Sequence, residues 1–261
     1  GGVGPGGLMF GPAAATVLAS ALFAGKRSWF LVSSLLALGL VLAPVLKTDG
    51  YFEYRMQADK RGLRTAQEAG LIEFTEWGSI SKIDVARARA LRRGETVSPK
   101  YVNYDGGSQS STFFPFDRDY DRLRNILVSG SELVNQHFWT RGVAVSHYLK
   151  RDTAAEVLII GSAAGQETKA ALLFNPSRVE GVELVDTVVR LGRGPYAAFI
   201  GNIFNDPRVH NQVGEGRSYL RSTDKKFDIV QIFSNHTSSN VAAGTGATTP
   251  VYLQTVEAYQ E

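Results

Sequence analysis

The 261-residue sequence contains no cysteine, which excludes a disulfide scaffold and every thiolate metal site. It has no excess of one charge, with Lys+Arg 28 against Asp+Glu 25 and a formal net charge of +3. No Lys/Arg block interleaved with aromatics gives that charge a groove to act in, so nucleic acid is not an expected partner. Fixed-period repeats and low-complexity tracts are absent, which removes solenoids and propellers. Apolar residues, by contrast, make up 44% of the chain and charged ones 20%. That proportion is ample for a packed core and rules out wholesale disorder, and the length allows one large or two modest domains.

Neither end reads as a natural terminus. Gly1-Gly2-Val3-Gly4-Pro5-Gly6-Gly7 has no initiating Met, and 251–261 has a helical pattern that stops in mid-course. The expectation is an internal piece of a longer protein, with further transmembrane helices before it and further strands after it.

Two apolar stretches open the chain, over 8–24 and 29–46, separated by Gly25-Lys26-Arg27-Ser28. Each is marginally long enough to span a bilayer, and Pro12 and Pro44 fall near their ends, where proline disturbs a helix least. The pattern predicts a transmembrane helical hairpin over 1–47; a buried hairpin of a soluble protein is the competing reading. Lys47, Arg55, Lys60, Arg61 and Arg64 follow the second stretch closely, which places the polar part on the cytoplasmic side of the inner membrane.

A linker or surface helix is expected over 48–70. Alternation of apolar and polar residues over 72–75 and 79–85, then Lys100-Tyr101-Val102-Asn103-Tyr104 ahead of the turn Asp105-Gly106-Gly107, predicts a small antiparallel β-domain over 71–115. Arg87, Arg89, Arg92 and Arg93 between these strands read as a solvated or headgroup-facing surface, with anion binding as the alternative. Helical periodicity marks 116–150 as connecting helices, which Gly130 divides.

The last segment, 151–261, carries the site. Val157-Leu158-Ile159-Ile160 is an all-apolar run suited to a parallel strand buried on both faces, and it ends in Gly161-Ser162-Ala163-Ala164-Gly165 before a helix. Small residues at such a turn let the backbone come close to a ligand. A second strand over 178–184 carries Glu183 near its end, about twenty residues after the glycine turn, where a ribose-binding acid belongs. A third strand leads into Gly214-Glu215-Gly216-Arg217 and a helix, and a fourth covers 227–233. The order predicts an α/β, Rossmann-like doubly wound sheet with its ligand crevice at the strand carboxyl ends.

These pieces, with Asp105-Gly106-Gly107-Ser108-Gln109, Asp206-Pro207-Arg208-Val209 and Phe227-Asp228-Ile229-Val230, resemble the spermidine synthase (polyamine aminopropyltransferase) family over 72–261. With the hairpin in front, the chain resembles the family's membrane-attached bacterial spermidine-synthase-like branch. The resemblance implies a class I methyltransferase-type fold binding S-adenosylmethionine or its decarboxylated form as donor, without a metal. It implies that Gly161, Ser162 and Gly165 line the nucleoside pocket, that Glu183 holds the ribose, that Glu215 and Gly216 face the adenine, and that Gln109 lies near the acceptor. A polyamine is the implied acceptor and a homodimer the implied assembly.

Aminopropyl transfer needs an acceptor amine that is neutral when it attacks, hence a base beside it. The positions just after the fourth strand, where the family carries two acids, hold Phe233 and His236. His236 is therefore the candidate base. Aminopropyl transfer, methyl transfer to an unknown acceptor and a non-catalytic nucleoside- or partner-binding domain all stay open on these residues. A nicotinamide oxidoreductase is disfavoured by the incomplete glycine fingerprint.

Overall fold

The structure, a computed structural model, describes residues 12–17, 19–20, 27–42, 61–88, 97–106, 109–129, 138–232, 253 and 255–260. The chain forms two compact units, 1–58 and 59–261.

In the first unit the backbone is helical at 12–17 and 19–20, and helix α1 runs Arg27–Leu42. The charged turn expected over 25–28 thus gives Arg27 and Ser28 to the helix. Leu31, Val32, Leu35, Leu36 and Leu38 are exposed on α1. At 16 residues the helix falls short of the roughly 20 that a bilayer asks for. Among the described residues no helix is long and apolar enough to cross a membrane, so the expected spanning hairpin is not seen in them.

The second unit opens with α2, Arg61–Glu68, which buries Leu63 and Ala66 and ends where Gly70 turns left-handed at φ +65°. Four strands follow as an antiparallel meander in sequence order: β1 Ile72–Trp77, β2 Lys82–Arg87, β3 Lys100–Tyr104 and β4 Gln109–Phe113. The sequence indicates the first three. It hides β4, whose Gln-Ser-Ser-Thr lacks an apolar alternation and which forms by pairing with β3 from Tyr104↔Gln109 to Lys100↔Phe113. β2 differs from the half-buried expectation, since Ile83, Asp84, Val85 and Ala86 are all buried. The buried Asp84 carboxylate accepts from Thr75 Oγ1 and from Lys82 Nζ, which satisfies the charge. At the meander's end Asp105 receives Ser81 Oγ and the Lys82 amide, fastening the β3–β4 turn to the β1–β2 turn.

Helices α3, Tyr120–Ser129, and α4, Phe138–Leu149, come next; Gly130, read as their divider, lies outside the described residues. A parallel unit then alternates β5 Glu156–Ile160, α5 Gln166–Leu172, β6 Arg178–Glu183, α6 Asp186–Arg193, a 3-10 turn at Ile203–Asn205, β7 Val209–Val213, α7 Gly216–Ser222 and β8 Ile229–Ile232, with α8 at Val256–Gln260. The sheet order is β7-β6-β5-β8, all neighbours parallel. It is one half and the first strand of the other half of a doubly wound sheet, with the reversal of strand order between β5 and β8.

Residue parity decides what each face covers. Val157, Ile159 and Val179 face one way and share a single core with Ile83, Val85, Val102 and Phe113 of the meander, so the two sheets are packed into one body. Leu158, Ile160 and Val182 face the other way, towards Tyr219 and Leu253. Phe204 fills the middle of the first core. A Cβ placed on Gly192 of α6 would lie 2.6 Å from its ring, and one on Gly165 would lie 2.9 Å from it.

Gly192→Ala should therefore destabilise by about 1–3 kcal/mol through overpacking. Urea denaturation of Gly192→Ala alone and combined with Phe204→Leu checks the cause: the smaller side chain should recover part of the loss if the clash is with the ring.

Candidate functional site

The loop between β5 and α5 is the centre of the site. Gly161, Ala163 and Gly165 all take positive φ, at +81°, +40° and +87°. Glycine is required at 165, where φ is left-handed and a Cβ would lie 2.6 Å from Ile203 Cδ1. Ala163 has no such licence, and its conformation is held from outside. Its amide donates to Glu183 Oε2 at 2.8 Å.

Every amide of the loop has a partner within the fold. Gly161 N and Ser162 N reach Val182 O, Ala163 N reaches Glu183, Ala164 N reaches Ser111 Oγ at 3.2 Å and Gly165 N turns back to Ser162 O at 2.8 Å. The loop thus offers a ligand a closely approachable surface rather than free donors. Ser162 is fully buried, and its hydroxyl donates to Asn211 Oδ1 of β7 at 2.7 Å. Gly181 makes room for this bond, because a Cβ there would lie 2.2 Å from Asn211 Oδ1.

Glu183 ends β6 with its carboxylate beneath the loop. It is 6% exposed and accepts from Ala163 N and, at 3.0 Å, from Val185 N. Burial raises its pKa, and the amides of Val185, Ala163 and Leu184 act against that rise. A carboxylate has about four lone-pair sites, so acceptor capacity remains for a hydroxyl pair. The Gly214 amide donates to Glu183 O, bringing the ends of β6 and β7 together.

The other expected residues divide. Gly161, Ser162, Gly165 and Glu183 form one cluster. Glu215 is exposed and caps α7; burial is the largest single influence on its pKa and raises it, but the bonds it accepts from Arg217 N, Ser218 N and Ser218 Oγ together hold the pKa below the usual value. Gly216 lets α7 approach the sheet, since a Cβ would meet Ile160 Cγ2 at 2.3 Å. Gln109 lies on β4, the strand whose Ser111 receives the loop amide. Phe233 and His236 lie outside the described residues.

Sequence reasoning passed over three residues of the site. Glu167, in the first turn of α5, is 8% exposed, and burial, with Glu183 nearby, pushes its pKa up to about 7. Lys169, 3% exposed between the rings of Phe114 and Phe116, is pushed down to about 8 by burial. The Tyr104 hydroxyl is raised well above the usual range by burial and by the carboxylates of Glu183 and Glu167. An acid directly after a glycine turn was the available signal for Glu167. Among the described residues no group of histidines and acids is placed to hold a metal ion.

Fold and loop together define a Rossmann-like α/β unit with a buried acid at the end of its second parallel strand and a glycine turn at the end of its first. Known proteins sharpen this class. No family model matches the chain. Over 82 residues the chain is 32% identical to a polyamine aminopropyltransferase from Korarchaeum cryptofilum, a stretch covering 31% of this chain and 26% of that protein. It therefore spans about a quarter of the relative's length. Solved structures similar to it include a spermidine synthase in complex with the transition-state analogue AdoDATO, at TM-score 0.43 and 17% identity over 61% of this chain and 46% of that one. The spermidine synthase from Thermotoga maritima gives the same score and identity over 61% and 45%. The 82-residue likeness supports a relationship to polyamine aminopropyltransferases over that part of the chain.

Glu167 yields a pH prediction. A carboxyl raised from 4.5 to about 7 on folding favours the protonated native state, so its contribution is full below pH 4.5 and is lost as pH rises through about 7. Lys169 titrates in a higher window and does not mask it. Glu167→Gln should flatten the loss of melting temperature between pH 5 and 8 and should be the more stable protein at pH 8, which thermal unfolding at both pH values checks.

Proposed function

We propose that this chain is the adenosyl-ligand-binding part of a spermidine-synthase-like transferase that takes decarboxylated S-adenosylmethionine and passes its aminopropyl group to an amine, with a polyamine as the acceptor class. The observation that carries this is the buried Glu183 carboxylate, fixed beneath the glycine loop with acceptor capacity left for the two ribose hydroxyls. The aminopropyltransferase likeness over 82 residues supports the choice of reaction.

In this reading Gly161 and Gly165 let the nucleoside approach the loop backbone, Gly216 shapes the adenine end, and Gln109 lies towards the acceptor. Glu215 reaches the adenine region as the cap of α7 rather than as a free carboxylate. The acceptor nitrogen forms its bond to the carbon beside the sulfonium as the carbon–sulfur bond breaks, sulfur keeps the electron pair, and the thioether nucleoside leaves. The nitrogen's proton passes to a base, a role assigned to His236. Glu167, which titrates near 7, is the second group suited to it. Positioning the donor and acceptor in line supplies the rest of the rate.

Attachment to the inner membrane, with the α/β unit in the cytoplasm and a homodimer as assembly, belongs to the same proposal. The apolar runs over 8–24 and 29–46 and the exposed leucines of α1 support the attachment.

Calorimetric titration of the full chain with S-adenosylmethionine, its decarboxylated form and methylthioadenosine tests the reading. The decarboxylated donor should bind tightest; preference for the carboxylated donor would indicate methyl transfer, and no binding to any of them would refute the site. Glu183→Gln should weaken the adenosyl ligand by about 1.5–3 kcal/mol for each charge-assisted hydrogen bond it loses, and unchanged affinity would refute the ribose role.

A further inference from the structure

On the free edge of the parallel sheet a cavity of about 340 Å³ opens between β6, β7 and the end of α7. Its lining is cationic. Arg178 comes from β6, Arg193 from the end of α6, His210 from β7 and Lys225 from the segment after α7. The one carboxylate present, Glu180, is 3% exposed and is already paired with both Arg178 and Lys225, at 2.7 Å to the lysine. Positive charge is left over, and among the described residues neither Arg193 nor His210 has a side-chain partner.

The wall also holds polar atoms that the fold leaves unused. On three residues that line the cavity, Arg178 Nε, Asn211 Nδ2 and Tyr219 OH lie beneath its surface without a hydrogen-bond partner among the described residues, and Asn211 as a whole is 2% exposed. Buried donors are normally paired, because an unpaired one keeps its full desolvation cost. The Asn211 carbonyl oxygen accepts from Ser162 Oγ, so this residue joins the cavity wall to the glycine loop.

We propose that this edge cavity binds a small phosphate-bearing anion, separately from the adenosyl crevice and independently of the reaction assigned there. Donors reach it from β6, β7, α6 and the segment after α7, which suits a tetrahedral oxyanion with acceptors on several sides better than a planar carboxylate. Arginine is the side chain best matched to phosphate, and two of them line the cavity. The volume is at the small end for ligand sites, which favours a small metabolite over a polymer.

Pyrophosphate is the probe, added to the full chain while thermal unfolding is followed, with sodium chloride at matched ionic strength and citrate as controls. Pyrophosphate should raise the melting temperature saturably, and sodium chloride and citrate should not. Arg193→Ala and Lys225→Ala change exposed side chains, so the protein should still fold. Combined, they should weaken the apparent affinity by about tenfold or more. An equal rise with sodium chloride, equal binding of citrate, or undiminished binding to the double variant would each overturn the proposal. A third variant, Arg221→Ala, alters an exposed arginine of α7 outside the cavity lining and should bind as the parent does; a loss there equal to that of the double variant would mean only general surface charge is being read.

Discussion

One buried carboxylate sets the conformation of the site. Glu183 closes the second parallel strand and reaches back to the turn after the first, where its hydrogen bond to the Ala163 amide holds a non-glycine residue at positive φ. Removing that acceptor would leave a buried amide unpaired and a left-handed alanine without support. Burial raises the Tyr104 hydroxyl, and this carboxylate and Glu167 add to the rise, so the strand end, the loop and the meander are electrostatically joined at this point.

The joining is also a matter of packing. Phe113 at the end of the meander and Phe204 from the segment before β7 are both buried in the same core, together with Val157 and Ile159 of the central strand. Two glycines, at 165 and 192, leave the space that Phe204 fills. At the far side of α6, Glu76 of β1 accepts from Thr187 Oγ1 and pairs with Arg190, a polar clamp at the rim of an apolar contact. The meander is thereby held against the parallel unit by a shared core and a polar rim, and Ser111 on its last strand can deliver an acceptor to the loop.

Much of this could be read from residue order. An all-apolar strand running into small residues, with an acid about twenty positions later, marks the core of a doubly wound sheet, and β5, β6 and Glu183 stand where that pattern places them. β4 was invisible because Gln-Ser-Ser-Thr has no apolar period; its strand conformation comes from pairing with β3, a tertiary cause. The cap formed by Glu215 was legible in principle, since an acid immediately before a helix is a capping residue as readily as a ligand contact. Glu167 and Lys169 could not be graded from the sequence, because their importance comes from burial, and a helix seven residues long gives little periodic signal.

The accounting of the loop's amides bears on how such a chain can change over time. Five consecutive backbone donors are all taken up within the fold, two on Val182 O, one on a carboxylate, one on a serine hydroxyl and one within the turn itself. Those requirements act on the main chain; side-chain demands are added at Gly161 and Gly165, where φ is positive, and at Ser162, whose buried hydroxyl meets Asn211. Exchange of Ala164 for another small residue leaves every bond in place, whereas adding or deleting one residue shifts all five out of register at once. Within a lineage, then, position 164 is free to drift among small residues while the length of the turn is not.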